Sequence, residues 1–439
     1  MFAYTGRGEL ESATTFMVAT PESALPGRTL ALQYDWQGNR ETVKIDGAES
    51  HRYTTNSVNE YDSIVFSEHV SGISGISDEQ ATVVVNDERA QRQGTYFYRG
   101  MASGASASWM EEPVYAAKVA AGSDYAEEYV WDHKEVYLPS QNVSPEYDDC
   151  GNLLSDGLWD YTYDGENRLI RMHSLLPHPD GNYRELVFAY DYLGRRVQKT
   201  VNAPYYPGGD WDTLSETGYV YWEWHLLAEV DLHPRRFGLQ RSYTWGLDKE
   251  GVRPGAGGVG GLLLISDHDT GEAYYAMNDY LGNVIGLADA SDGTIAAAYE
   301  YDPFGRPLRA TGSYAAENPF RFSSQYTDTE TGLVYFGFRY YHPQWGRFLN
   351  RDPLEEEAGL NLYRFVSNDP VNRWDLLGLW ETGSYFGDVA QVFKGYGNAV
   401  ANTVKGAAHV VAHPVETAKG VANAAANPKE TFNAIKEDV

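Results

Sequence analysis

Residues Gln325 to Leu379 read QYTDTETGLVYFGFRYYHPQWGRFLNRDPLEEEAGLNLYRFVSNDPVNRWDLLGL, and this stretch decides the fold. It combines aromatic residues, single glycines and Asp-Pro pairs more densely than any earlier part of the chain. Upstream, the sequence is rich in Tyr, Asp and Gly, with the alternation expected of short strands and tight turns. From Trp380 onward it is rich in Ala, Val, Asn and Lys at helical spacing. The sequence therefore predicts a domain boundary near Leu379.

A turn pattern recurs before this boundary, in which an Asp is followed three places later by Gly or Asn. The Asp side chain can accept hydrogen bonds from the backbone ahead of it, and Gly or Asn tolerates a positive φ, so the pattern favours a type I turn that closes a hairpin. In five of the six cases a Tyr comes directly before the Asp. The turns are Asp35–Gly38, Asp148–Gly151, Asp164–Asn167, Asp191–Gly194, Asp279–Gly282 and Asp302–Gly305. Their irregular spacing favours one continuous all-β sheet with variable loops over a propeller or a strict solenoid.

Composition restricts the classes of function. The chain has 439 residues and a formal net charge of −28, which opposes binding to nucleic acid or to an anionic membrane surface. We therefore expect no nucleic-acid partner. The single Cys150 excludes an intramolecular disulfide framework. No secretion signal opens the sequence, and no apolar run is long enough to span a bilayer. Because MFAYTGRGELES reads as if it began within a repeat, we expect the C-terminal part of a longer protein.

Two segments, Asp328 to Pro353 and Gly359 to Leu379, resemble the core domain of the RHS/YD-repeat proteins. That family includes bacterial polymorphic toxins, the C component of insecticidal toxin complexes and, more distantly, teneurins. The resemblance implies a spiral, cocoon-like β-sheet shell plugged by a core domain, which acts as an aspartyl autoprotease and releases a variable C-terminal segment. The expected domains are a divergent N-terminal β segment (1–140), a YD-repeat shell (141–270), the core domain (271–379) and a helical passenger or pre-toxin linker (380–439).

The resemblance also places the chemistry. It assigns catalytic roles to Asp352 and Asp375 and makes Leu379–Trp380 the scissile bond. Paired carboxyl groups can run hydrolysis when one is protonated and the other ionised. Because Arg351 adjoins Asp352, we expect it to favour the ionised form of Asp352, which would make Asp375 the acid and Asp352 the base.

The sequence departs from the family pattern at two places around these aspartates. Leu376 stands where proline is usual, and the segment Glu355 to Glu357 occupies a loop that is commonly glycine-rich. The first change could loosen the turn that presents the scissile bond. The second adds negative charge near Asp352.

Other interpretations use the same residues. Asp-Pro and Asp-x-x-Gly are ordinary turn formers, so the aspartates could be structural. The runner-up function is a non-enzymatic cell-surface repeat protein for adhesion or carbohydrate binding, and a glycosidase with paired carboxylates ranks last. Aromatic residues of the core stretch could line a sugar-binding cleft, although core packing is favoured; they are Tyr335, Phe338, Tyr340, Tyr341, Trp345 and Phe348.

The tail shows helical spacing but no nucleophile and base, no metal set and no phosphate loop. His409 and His413 lie four residues apart without an evident third ligand, so a surface pair is favoured over zinc. We expect no cofactor. The expected partners are the protein's own C-terminal segment as enclosed cargo and a secretion-system or toxin-complex component, at the cell surface or outside the cell.

Overall fold

The computed structural model describes residues 1–17, 23–119, 127–178, 181–204, 209–248 and 258–379. These residues form antiparallel sheets, and the only helices among them are three short 3-10 turns, so the predicted all-β class is confirmed. The tail predicted to be helical, with Trp380 and the histidine pair His409 and His413, falls outside the described residues. The three 3-10 turns span Phe322–Ser324, Glu355–Ala358 and Val366–Asn368.

The N-terminal part builds one sheet of seven strands and two small sheets. The seven-stranded sheet has the order β1-β2-β3-β4-β5-β6-β14, and the small sheets have the orders β10-β11-β7 and β13-β12-β8-β9. The strands are β1 (Phe2–Tyr4), β2 (Leu10–Phe16), β3 (Ala24–Tyr34), β4 (Arg40–Ile45), β5 (Ala48–Thr55), β6 (Tyr61–Phe66), β7 (Ser71–Ile76), β8 (Thr82–Val85), β9 (Glu88–Arg89), β10 (Gln91–Gln93), β11 (Tyr96–Met101), β12 (Ser108–Val119), β13 (Glu127–Leu138) and β14 (Asn142–Val143).

A long sheet of fourteen strands follows in strict chain order, as a meander of hairpins. It runs without a break through residue 270, where the sequence predicts the change from shell to core domain. The strands are β15 (Glu146–Tyr147), β16 (Leu153–Ser155), β17 (Trp159–Tyr163), β18 (Leu169–Ser174), β19 (Glu185–Tyr190), β20 (Arg196–Pro204), β21 (Trp211–Trp222), β22 (His225–Asp231), β23 (Gly238–Trp245), β24 (Leu262–Asp267), β25 (Ala273–Asn278), β26 (Val284–Asp289), β27 (Ile295–Tyr301) and β28 (Pro307–Thr311).

The predicted Asp turns all form, by one mechanism. In the turn at Asp35, carboxylate Oδ1 accepts the backbone N–H of Gln37 at 2.8 Å and of Asn39 at 2.9 Å. Gly38 has a φ of 82°, which glycine adopts without strain. The strand register shifts by one residue between Gln33 and Tyr34, and the same shift directly precedes the Asp of the other five turns, so each turn is flanked by a β-bulge. The same pair of Oδ1 contacts recurs at Asp148, Asp164, Asp191, Asp279 and Asp302.

At three of the five Tyr-Asp turns, the Tyr links consecutive turns. The Tyr34 hydroxyl donates to the Leu10 carbonyl at 3.0 Å, the Tyr190 hydroxyl to the Leu169 carbonyl at 2.6 Å, and the Tyr301 hydroxyl to the Val284 carbonyl at 2.9 Å. Leu10, Leu169 and Val284 each begin the strand that leaves the preceding turn. At these three positions the Tyr-Asp pair therefore closes one turn and ties it to the previous one.

The described residues after β28, 312–379, pack on these turns and are called the core domain below. Its four-stranded sheet consists of β29 (Tyr326–Thr327), β30 (Val334–Tyr335), β31 (Tyr340–His342) and β32 (Arg347–Phe348). A single cluster of buried apolar side chains joins the core domain to both large sheets. Core side chains also donate to the carbonyl of the fourth turn residue at six turns: Asn368 to Gly38, Arg347 to Asn59, Tyr363 to Gly151, Asn350 to Asn167, Tyr335 to Gly194 and Ser324 to Gly282.

Candidate functional site

Arg339 is the centre of the candidate site, and a tight turn directs it into the core domain. The Phe336 N–H donates to the Arg339 carbonyl at 3.0 Å across Gly337, whose φ is 95°. The guanidinium lies 3.7 Å from the centroid of the Phe348 ring, and Arg339 is only 3% exposed. A fully enclosed cation of this kind needs carboxylate or carbonyl partners, because desolvation without them costs several kcal/mol.

Asp352 is the first of those partners. Its Oδ2 lies 2.6 Å from Nη2 of Arg339, and its Oδ1 accepts the Leu354 N–H at 2.9 Å. The residue is 6% exposed, and burial raises the pKa of its carboxyl group while Arg339 opposes that rise. Asp352 also lines a cleft of about 510 Å³ that opens between the turns of the long sheet and the core domain. Asp352 is therefore a carboxyl group with one close cation and a route to solvent.

Asp375 is the second carboxyl group, and the end of the described chain wraps around it. Its Oδ1 accepts three backbone N–H groups: those of Leu377 at 3.1 Å, Gly378 at 2.7 Å and Leu379 at 3.2 Å. Its Oδ2 lies 3.9 Å from the same Arg339 nitrogen that binds Asp352. Burial raises the pKa of Asp375 to about 7, with Arg339 opposing the shift and Asp352 adding to it.

These contacts decide where a proton on Asp375 would reside. Because Oδ1 is already occupied by three N–H donors, the proton belongs on Oδ2, which faces Asp352 and Arg339. The two carboxyl groups thus flank one guanidinium nitrogen, at 2.6 and 3.9 Å. One cation cannot fully neutralise two buried carboxylates, so the pair favours one proton shared between them.

Leu379 is docked beside this pair. It is 3% exposed and packs with Leu377 against Trp224 and Phe338. Gly378, which precedes it, has a φ of 75°, and a side chain there would come within 3.2 Å of the Phe336 Cβ. The Gly378 carbonyl also accepts a hydrogen bond from Nε of Arg339. The peptide group between Gly378 and Leu379 is therefore held by the same arginine that binds the two aspartates.

The role expected of Arg351 requires a correction. The cation at Asp352 is Arg339, thirteen positions earlier in the chain, and Arg351 itself is exposed at the rim of the cleft. Adjacent residues in an extended segment point in opposite directions, so Arg351 faces the solvent when Asp352 faces inward. The sequence offered no signal for Arg339 beyond its place in the aromatic FGFRYY segment.

Five of the six aromatic residues named for the core stretch are packing residues, whereas Phe338 is half-buried and lines the cleft at Asp352. Tyr335, Tyr340, Tyr341, Trp345 and Phe348 are each less than a tenth exposed and belong to the main apolar cluster. Their rings meet one another edge-on or tilted, as between Tyr341 and Phe348 at a centroid distance of 5.6 Å. They are therefore not free to line an open sugar-binding cleft.

A second buried charge cluster, which the sequence did not indicate, joins the core domain to β20. Asp328 binds Nη1 of Arg196 at 2.6 Å and Nζ of Lys199 at 3.0 Å. Lys199 also pairs with Glu330 at 2.9 Å. The Arg196 guanidinium is enclosed by aromatic rings at 4.8–5.9 Å, those of Phe188, Tyr219, Tyr326, Tyr335 and Tyr340. In contrast to the aspartate pair, these two cations lower the pKa of Asp328.

Among the residues that the structure describes, no group of three or more His, Cys, Asp or Glu side chains could hold a metal ion. Within the same residues, no helix has the length and apolar character to cross a membrane. The candidate site is thus a carboxyl pair around one arginine.

Turns of Tyr-Asp type on a continuous antiparallel sheet, with a core domain docked on them, define a YD-repeat shell. Comparison with known proteins agrees: residues 259–371 match the family model described as Teneurin YD-shell, and the chain is similar to RHS/YD toxin proteins.

Three curated relatives illustrate the family. The chain is 31% identical to the tRNA3(Ser)-specific nuclease WapA of Bacillus spizizenii, over 53% of this chain and 9% of that protein. It is 31% identical to the double-stranded DNA deaminase toxin A of Burkholderia cenocepacia, over 56% of this chain and 18% of that protein. It is 42% identical to the toxin subunit YenC2 of Yersinia entomophaga, over 20% of this chain and 10% of that protein. The chain therefore spans less than a fifth of the length of these relatives.

Among solved structures, the crystal structure of TcdB2-TccC3 aligns with 86% of this chain and 18% of its own, at 17% identity and a TM-score of 0.43.

Proposed function

We propose that this chain is the shell and core of an RHS/YD-repeat protein for toxin delivery or intercellular competition, and that its core domain cuts the chain once after Leu379. The observation that carries the proposal is the pair of buried carboxyl groups of Asp352 and Asp375 on one Arg339 nitrogen, at 2.6 and 3.9 Å. The cut would release the segment that follows Leu379 as a passenger. A toxin-complex or secretion-system component is the proposed partner.

The proposed reaction is hydrolysis of the Leu379–Trp380 peptide bond. The ionised Asp352 removes a proton from water, and the water oxygen bonds to the Leu379 carbonyl carbon. Asp375 supplies its Oδ2 proton as the C–N bond breaks, so that Leu379 gains a carboxyl group and Trp380 gains an amino group. The cleft at Asp352 supports this division of roles, because it gives that carboxylate a route to water. Arg339 would stabilise negative charge on both aspartates and hold the Gly378 carbonyl.

Intact-mass spectrometry of the purified chain tests the proposal. We expect two fragments, 1–379 and 380–439, whereas Asp352→Asn and Asp375→Asn should each remain full length, with cleavage slowed at least 100-fold. The matched control is Asp369→Asn, because Asp369 also precedes a proline in the core domain but contacts Asn372.

An uncut wild-type chain, or equal cleavage in both Asn variants, would exclude autoproteolysis and favour the alternative of a non-enzymatic binding protein at the cell surface. Dilution should leave the cleavage rate unchanged, since the two aspartates and the scissile bond lie on one chain.

A further inference from the structure

Asp352 and Asp375 are joined by a connection with little regular structure, residues 353–374, which contains two short 3-10 turns and one isolated β-bridge, from Arg364 to Arg347. A connection of this kind does not fix the distance between its ends, because its backbone lacks the repeated hydrogen bonds of a sheet or helix. The carboxyl pair therefore depends on contacts that the connection makes with other parts of the molecule.

One backbone atom in this connection holds both partners of the salt bridge. The Leu362 carbonyl accepts the Asp352 N–H at 2.9 Å and Nη1 of Arg339 at 2.9 Å. A displacement of Leu362 would therefore move the base and its cation together.

The residue before Leu362 is tied to the N-terminal sheet. The side-chain amide of Asn361 donates to Oδ1 of Asn39 at 2.8 Å and to the Gln37 carbonyl at 3.2 Å, while its own Oδ1 accepts the Tyr363 N–H at 3.2 Å. Asn39 and Asn361 are 2% and 8% exposed, so water does not readily replace these bonds. Asn39 is fixed in turn by Oδ2 of Asp35 at 2.8 Å.

The same turn holds the connection at a second point. The Asn368 side-chain amide donates to the Gly38 carbonyl at 2.8 Å and to Oε1 of Glu9 at 3.3 Å. Two asparagines between the catalytic aspartates thus bind one turn, Asp35–Asn39, which belongs to a different sheet and lies more than 300 positions earlier in the chain. Packing of the apolar core does not require this convergence of polar groups.

We infer that Asn361 is a positioning residue for autoproteolysis, which couples the turn Asp35–Asn39 of the N-terminal sheet to the Arg339–Asp352 pair. The inference rests on the proposed function. Cleavage then waits until the N-terminal sheet has docked on the core domain, so that the passenger is released only from a completed fold. Asn361 touches neither the scissile bond nor the carboxyl groups and acts through Leu362.

The test compares cleavage rates after the full chain is refolded from urea, with fragments measured by intact mass. Asn361→Ala and Asn39→Ala should slow cleavage about 10- to 100-fold, the effect expected of a small displacement of a catalytic group. The matched control is Asn283→Ala. Asn283 also ends an Asp turn, binds Oδ2 of its own Asp279 at 2.9 Å and accepts one core N–H, that of Ser323, at 2.8 Å.

A pH profile separates positioning from general destabilisation. Arg339 favours the ionised form of Asp352, so a looser Leu362 should raise the pKa of Asp352 and move the acid limb of the rate profile to higher pH. The other charged groups around this carboxyl group are Asp375, on the far side of Arg339, and the cleft residues Arg351, Glu355 and Glu356. A merely less stable fold would lower the rate by the same factor at every pH.

Every outcome of this test either supports or overturns a stated proposal. An uncut wild-type chain refutes the proposed function itself, whereas a wild-type chain that cuts alongside an equally fast Asn361→Ala overturns only this inference. Equal slowing by Asn283→Ala, or an unshifted acid limb, overturns it as well.

Discussion

Two buried carboxylate clusters in the core domain differ in the number of cations they receive. Asp328 has two, Arg196 at 2.6 Å and Lys199 at 3.0 Å, and the pKa of its carboxyl group is lowered. Asp375 has a single distant cation, Arg339 at 3.9 Å, which is shared with Asp352, and its pKa is raised to about 7. Both aspartates are almost fully enclosed, at 0% and 3% exposure. Burial alone therefore does not decide which carboxyl group can carry a proton at neutral pH.

The difference distinguishes a structural cluster from the cluster that is proposed to be reactive. A carboxylate with two cations stays ionised and joins β20 to the core domain, as a buried ion pair that specifies one docking position. A carboxyl group that shares one cation with a second carboxyl group can exchange a proton near neutral pH, as a general acid must. The predictions below test this contrast, and they begin with the largest expected effect.

Asp328→Asn should lower the free energy of unfolding by about 3–5 kcal/mol, because it leaves Arg196 buried with a neutral partner and Lys199 with Glu330 as its only carboxylate. The substitution is made in an Asp375→Asn chain, so that cleavage does not complicate the measurement. Urea unfolding followed by circular dichroism gives the change. Asp375→Asn alone should leave the midpoint near its wild-type value at pH 7, and equal losses for both substitutions would contradict the contrast.

The cleavage rate should fall about tenfold for each pH unit above about 7, since Asp375 must be protonated to act as the acid. Stability should change with pH in the same direction as the rate. Because the pKa of Asp375 is raised, its protonated form stabilises the fold at low pH, and this stability is lost as pH rises through about 7. For Asp328, with a lowered pKa, stability is instead lost as pH falls. Refolding into buffers from pH 5 to 9 with intact-mass readout measures the rate, and an alkaline limb absent up to pH 9 would exclude Asp375 as the acid.

Gly378→Ala should slow cleavage about tenfold, because the turn that presents Leu379 needs a positive φ and has no room for a side chain. Its φ is 75°, and the new Cβ would lie 3.2 Å from Cβ of Phe336 and 3.3 Å from Cβ of Arg339. The matched control is Gly332→Ala, at a φ of 73° with open space around it. Both variants bear the backbone strain of about 1–2 kcal/mol, but only the first crowds the site. Equal cleavage rates in the two variants would show that crowding at Gly378 does not matter.

Local chemistry made much of the fold predictable. The Asp turns depend on contacts within five residues, so Asp35 and its five counterparts could be recognised from spacing alone. Two further turns of the same kind were missed because other acceptors replace Asp: Asn56 Oδ1 binds the N–H groups of Val58 and Glu60, and Thr5 Oγ1 binds that of Glu9. Asn and Thr offer the same side-chain oxygen, and a search for N-x-x-N and T-x-x-G would have found them.

The candidate site was less predictable, because its partners are distant in sequence. Asp352 and Asp375 came from the family resemblance, and their catalytic roles stay a prediction. Arg351 was predicted to be the cation because it adjoins Asp352 in the sequence. In the structure, the turn at Gly337 brings Arg339 to Asp352 instead. The cluster of Arg196 and Asp328 joins residues 132 positions apart, and no local pattern encodes it.

The smallest expected effect distinguishes the two arginines. Arg351→Ala should leave the cleavage rate within about twofold of wild type, since Arg351 is exposed and a charge in water contributes little to a neighbour. Arg339→Ala should abolish cleavage and destabilise the fold, because it leaves Asp352 and Asp375 buried without their shared cation. Arg339→Lys keeps the charge but cannot bind Asp352, the Gly378 carbonyl and the Leu362 carbonyl at once, as the guanidinium does through three nitrogens. It should therefore fold and cut at least tenfold more slowly. If Arg351→Ala slowed cleavage as much as Arg339→Lys, the cleft-side arginine would share the catalytic role, and the assignment of a single cation to the pair would be wrong.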